Sequence, residues 1–140
     1  MARFRFRLQK VLKVREIQEE QSKFKWAHEE RLAHEERAKL ARLKEHERQI
    51  KEYGYEQGEI LLRQAMYNYL ASLNRKVQEQ ELRVVEQEEA ASLAKARWLE
   101  ARKERKKVSI LRERQYAAYV KEELSREQKA LDDMRSRVLT

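Results

Sequence analysis

Tyr53-Gly54-Tyr55-Glu56-Gln57-Gly58 contains both glycines of a 140-residue chain that has no proline. Glycine and proline are the strongest breakers of helices. With this segment as the only punctuation, the sequence predicts an all-α chain of two long helices that meet near it. The boundaries expected are a helix over about 3–52, a turn with a short helix of its own within about 53–74, and a helix over about 70–136. The whole forms one coiled-coil domain.

The composition on either side supports helices. Charged residues make up 41% of the chain and aromatics only 8%, too few large apolar groups for a rounded core. The charges are interleaved in sign and carried on strong helix formers: Ala, Glu, Gln, Lys, Leu and Arg. A disordered chain that orders on a partner is the competing reading of so polar a composition.

Periodicity is clearest after the turn. Stepping alternately by three and four from Leu70 gives Leu70, Leu73, Val77, Gln80, Val84, Gln87, Ala91, Ala94, Trp98, Ala101, Arg105, Val108, Arg112, Gln115 and Tyr119. Ten of these 15 positions are apolar, which is the seam of a coiled coil. Before the turn, Leu8, Val11, Leu12, Ile17, Phe24, Trp26, Leu32, Leu40, Leu43 and Ile50 recur at helical spacings but drift between faces. A helix of 50 residues reaches about 75 Å and needs a partner of matching length.

Charge favours an antiparallel partner within the same chain. The first 15 residues hold Arg3, Arg5, Arg7, Lys10, Lys13 and Arg15 and no acid. Folded back, they are expected opposite Glu122, Glu123, Glu127, Asp132 and Asp133. In that register Glu29, Glu30, Glu35 and Glu36 face Arg102, Lys103, Arg105, Lys106 and Lys107. Surface pairs of this kind contribute little energy, so the pattern bears on orientation more than stability. A parallel homodimer is the alternative.

The chemistry of an enzyme is not legible here. There is no Gly-rich phosphate loop, no cysteine nucleophile and no Gly-x-Ser-x-Gly elbow. His28, His34 and His46 do not pair at the i, i+4 spacing suited to a metal. No cofactor or metal is expected. The net charge of +8 suits an acidic protein, an anionic membrane or nucleic acid and selects none of them. No apolar run is long enough to span a bilayer, and the charged opening has no apolar stretch behind it. A soluble, intracellular chain is expected.

Two surfaces stand out. Residues 53–74 carry only three charges and four of the six tyrosines, Tyr53, Tyr55, Tyr67 and Tyr69. An exposed aromatic patch of this kind suits a partner; the competing reading is that it fills the end of the hairpin. The second surface is the Arg/Phe alternation at the start, followed by Leu8, Val11 and Leu12, for which a loose helix start is the competing reading.

The opening Phe4-x-Phe6-x-Leu8-x-x-Val11-Leu12-x-x-Arg15-Glu16 resembles the N-terminal signature of the FliJ family of the flagellar type III export apparatus. The run Glu122 to Met134 (EELSREQKALDDM) resembles that family's ending. The resemblance implies an antiparallel two-helix coiled coil like the gamma stalk of rotary ATP synthases. It implies a non-enzymatic component that binds and stimulates the hexameric export ATPase, links it to the cytosolic domain of the export gate, and handles export chaperones. Its place would be cytoplasmic, peripheral at the cytoplasmic face of the inner membrane at the flagellar basal body. By position, the ATPase-binding end would be Phe4, Phe6, Leu8, Val11, Leu12 and Arg15, with Leu131 and Met134 beside them. The gate-binding tip would be Gln49, Tyr53, Tyr69 and Leu73. A monomer is expected in isolation, with no nucleic acid partner. Two other readings stay open: a basic coiled coil on nucleic acid or an anionic membrane, and a purely structural homodimeric coiled coil.

Overall fold

The computed structural model describes residues 3–56 and 58–139, with the side chains of Tyr55 and Glu56 outside that description. Helix α1 spans Gln9–Glu56 and helix α2 spans Ile60–Leu139. There is no strand among the described residues. Contacts divide the chain into two units: residues 22–98 form one, and residues 1–21 with 99–140 form the other. In each, a stretch of α1 packs antiparallel on a stretch of α2, the helical hairpin expected.

In the unit of residues 22–98, the α2 seam is the one the sequence marks. Leu73, Val77, Gln80, Val84, Ala91 and Ala94 are buried. The α1 seam is different from the drifting apolar set. It runs Ser22, Trp26, Glu29, Ala33, Glu36, Leu40, Leu43, Glu47 and Ile50, each buried or half-buried, in unbroken steps of four and three. Phe24 lies off this line and is 68% exposed. Acidic residues occupy seam positions because α2 meets them with donors. Gln80 Nε2 donates to the Glu36 carbonyl at 3.0 Å and to its carboxylate at 2.5 Å. One heptad along, Gln87 Nε2 donates to the Glu29 carbonyl at 3.2 Å and carboxylate at 2.5 Å. Beside them Trp26 and Trp98 stack at 5.0 Å with 16° between planes, and Lys95 Nζ sits 5.8 Å from the Trp26 ring.

In the other unit, α1 contributes Leu12, Arg15 and Glu19 and α2 contributes Ala101, Arg105 and Val108, all buried or half-buried. Arg105 holds Glu19 through Nε at 2.6 Å and a second guanidinium nitrogen at 3.2 Å. These partners correct the expected register. Glu29 and Glu36 meet Gln87 and Gln80, not the basic run 102–107, and Arg105 belongs to Glu19. The offset is about two to three heptads.

The break explains the offset. Only the stretch between Glu56 and Ile60 interrupts the helices, so the turn is far shorter than 53–74, and Tyr67 and Tyr69 lie within α2. Gly54 does not end a helix. It sits inside α1 with an ordinary helical backbone, and a Cβ there would lie 3.2 Å from the Met66 methyl. Residues 3–8 precede α1 and are not helical, which corrects the helix start at 3.

Candidate functional site

Charge and apolar exposure concentrate in the unit built from the two chain termini. Before α1 the chain makes a turn closed by Gln9 N–H on the Phe6 carbonyl at 3.1 Å. The segment is not loose. Phe4 meets the Tyr116 ring edge-on at 5.2 Å and the Tyr119 ring at 5.4 Å, and Phe6 is only 8% exposed. Alternating Arg with Phe lets one side of an extended strap bury rings while Arg3, Arg5 and Arg7 stay in solvent.

Leu12 is buried and Arg15 half-buried, whereas Leu8 and Val11 are exposed. The opening motif therefore contains two kinds of residue. Phe4 fastens the segment to α2 and Phe6 and Leu12 are buried, whereas Leu8 and Val11 are exposed. Leu131 and Met134 do not join them. Phe4 lies against Tyr116 and Tyr119, and Leu131 is twelve residues further along α2, about 18 Å by helical rise. Both are largely exposed.

Electrostatics in this unit have two centres. The Arg105 hydrogen bond holds the Glu19 carboxyl below the usual carboxylate range, with Arg105, Arg102 and Lys106 adding through space against some desolvation. Lys107, 3.1 Å away, does the same for Glu104. Beyond Val120, Arg126 pairs along α2 with Glu122 at 3.1 Å.

In the unit of residues 22–98, the turn end has a cleft of about 640 Å³ between α1 and α2, lined by Gly54, Met66, Tyr67, Leu70, Lys51 and Arg63 among others. Tyr67 is 78% exposed and Tyr53 is exposed too. Tyr69 is hydrogen-bonded through Oη to His46 Nε2 at 2.8 Å, with the two rings near perpendicular. Leu73 is a seam residue at 4% exposure, so it packs the hairpin and presents nothing outward. Gln49 lies on the outer face of α1, its amide 3.4 Å from Glu45. The four residues named for the tip thus divide into Tyr53 and Gln49 outside, Tyr69 anchored, and Leu73 inside. Sequence reasoning missed Met66 of the cleft wall, while Tyr67, expected in the aromatic patch of the turn, belongs to α2.

Among the described residues no cluster of His, Asp or Glu is arranged to hold a metal, and no helix is long and apolar enough to cross a membrane. Two long helices packed antiparallel, with polar locks in the seam, define the class of all-α helical hairpins. Residues 4–139 match the family model described as flagellar FliJ protein, and the chain belongs to that family, a component of the flagellar export apparatus. Comparison with curated proteins and with solved structures finds no match to this chain.

Proposed function

We propose that this chain docks on the hexameric flagellar export ATPase through the unit carrying its termini, stimulates turnover, and contacts the cytosolic domain of the export gate through the turn. Membership of the FliJ family and the state of Leu8 and Val11 support the first contact. These two apolar side chains are 36% and 40% exposed beside Arg3, Arg5, Arg7, Lys10 and Lys13, on a segment that Phe4, Phe6 and Leu12 hold in place. A fastened apolar patch ringed by arginine loses little entropy on docking and suits an acidic protein surface. The exposed Tyr53 and Tyr67 support the second contact. The chain acts as a stimulating partner and not as the hydrolysing subunit. Handling of export chaperones and a peripheral place at the cytoplasmic face of the inner membrane belong to the same proposal.

The experiment is titration of the export ATPase with wild-type protein and with Leu8→Ala plus Val11→Ala. We expect stimulation to fall at least about fivefold while helicity is kept, since both side chains are exposed. Undiminished stimulation by this variant removes the docking assignment. In parallel, Tyr53→Ala with Tyr67→Ala should weaken capture by the gate domain without lowering thermal stability.

A further inference from the structure

The positive charge of this chain is gathered in one place. Residues 1–21 hold six basic and three acidic side chains, and residues 99–121 hold eight basic and three acidic ones, so these two stretches carry the whole net charge of +8. Both belong to the same unit, and the rest of the chain balances. Glu19 pairs with Arg105 and Glu104 with Lys107. Arg3, Arg5, Arg7, Lys10 and Lys13 are exposed and pair with no acid among the described residues. A local excess of this kind draws an anionic partner through its summed field, not through one matched pair.

The start of α1 gives that field a face. Leu12, Arg15 and Glu19 form the seam side, buried or half-buried. On the opposite side an arc of about 160°, from Lys13 round to Val11, holds Lys10, Val14 and Ile17 with two glutamines and no acid. Glu20 borders the arc beside Lys13, and Glu16 and Glu19 lie further round. Val11, Val14 and Ile17 are 40%, 51% and 50% exposed. Three apolar side chains thus stand in water among unpaired lysines, immediately after the three exposed arginines of the strap.

We propose that this outer face of α1 lies on an anionic lipid surface. Val11, Val14 and Ile17 enter the boundary between headgroups and acyl chains. Lys10 and Lys13 run their stems along that boundary and keep their ammonium groups among the phosphates. Arg3, Arg5 and Arg7 add attraction to the same surface. Nucleic acid would neutralise these charges too, but its phosphates offer nothing to the valines and the isoleucine. Three apolar side chains anchor weakly by themselves, so attachment needs both parts and is reversible. Residues 122–133, with five acidic and two basic side chains, are repelled by such a surface. The inference names lipid as what holds the chain at a membrane. It does not depend on the ATPase contact, because its test contains no ATPase and substitutes Val14 and Ile17 in place of Leu8 and Val11.

The test is co-sedimentation of the full chain with vesicles of phosphatidylglycerol and phosphatidylethanolamine in equal parts, beside phosphatidylcholine vesicles and a duplex DNA. Wild type is expected to bind the anionic vesicles at least about tenfold more tightly than the neutral ones, and to release as salt rises. Lys10→Gln with Lys13→Gln should weaken that binding at least about tenfold. Val14→Gln with Ile17→Gln should weaken it at least about fivefold. Both pairs keep good helix formers and touch no seam residue, and circular dichroism checks that the variants stay helical. For orientation, the cysteine-free chain accepts one environment-sensitive dye at Ile17→Cys or at Ser125→Cys. Only the first should shift to the blue on anionic vesicles. No binding to anionic vesicles at low salt, binding indifferent to the Val14 and Ile17 pair, tighter binding to DNA than to the vesicles, or equal dye shifts at both positions would overturn the proposal.

Discussion

Gln80 of α2 donates one amide to both the backbone carbonyl and the carboxylate of Glu36 on α1, at 3.0 and 2.5 Å. Gln80 is only 5% exposed. A seam of leucine alone slides between registers at little cost, because every heptad resembles the next. Polar partners that fit only one another penalise every other alignment. Gln80 with Glu36, Gln87 with Glu29 and Arg105 with Glu19 therefore act as register marks, the first two in one unit and the third in the other.

Gln80→Ala and Gln87→Ala should each lower unfolding stability by about 1–2 kcal/mol, the cost of a lost hydrogen bond to a charged group in a half-dry seam. Gln78→Ala, on an exposed position, serves as control with no measurable change. Urea titration followed by circular dichroism reads both. Equal effects at positions 78 and 80 would remove the locking role.

The Glu19–Arg105 pair sets an acid dependence. Glu19 is held below the ordinary value of 4.5 by its Arg105 hydrogen bond. A carboxylate with a lowered folded value stabilises fully above its unfolded value and loses that contribution as pH falls through the folded one. Thermal stability should therefore drop on acidification below about pH 4.5. Glu19→Gln should lower stability at pH 7 and flatten that drop. A variant with an unchanged pH profile would show that the pair contributes nothing.

The Trp26–Trp98 stack predicts a large penalty for truncation and a small one for conservative change. Trp26→Ala should cost about 3 kcal/mol through lost apolar area and the void left behind. Trp26→Phe should cost less than about 1 kcal/mol, because it keeps a ring in the stack and removes an indole N–H that has no hydrogen-bond acceptor among the described residues. Thermal melts of the two variants give the comparison directly.

Gly54 offers a stabilising substitution. Alanine there gains about 0.5–1 kcal/mol of helix propensity and meets only the flexible end of Met66. Gly54→Ala should raise the melting temperature by a few degrees. A fall instead would mean that Met66 cannot move and that the cleft wall is rigid.

How much of this was legible can be read from the two seams. The α2 seam from Leu70 to Val108 was visible because most of its positions are apolar. The α1 seam was not, because Ser22, Glu29, Glu36 and Glu47 occupy it. An apolar search passes over them and picks up Phe24 and Ile17, which are exposed. The role of Glu29 and Glu36 exists only once Gln87 and Gln80 are seen as their partners. The turn was misjudged for a related reason. Low charge across 53–74 reads as a break in helix, whereas Tyr53 lies on α1, Tyr67 and Tyr69 lie on α2, and Tyr67 lines the cleft. Once the turn moves to the stretch before Ile60, the facing residues shift and the acidic run 122–133 loses its expected basic partners. At the termini, the Phe4 and Phe6 signature marks an important segment, but that the Phe4 ring packs on Tyr116 and Tyr119 cannot be read without the register.

The most direct test is a distance between labels on Lys13→Cys of α1 and Lys107→Cys of α2, measured by pulsed electron resonance in protein diluted with unlabelled chain. Helices packed side by side with label arms added predict a single distance of roughly 20–30 Å that survives dilution. A distance beyond about 45 Å, or a signal that dilution abolishes, would contradict an α1 that folds back on α2 of its own chain.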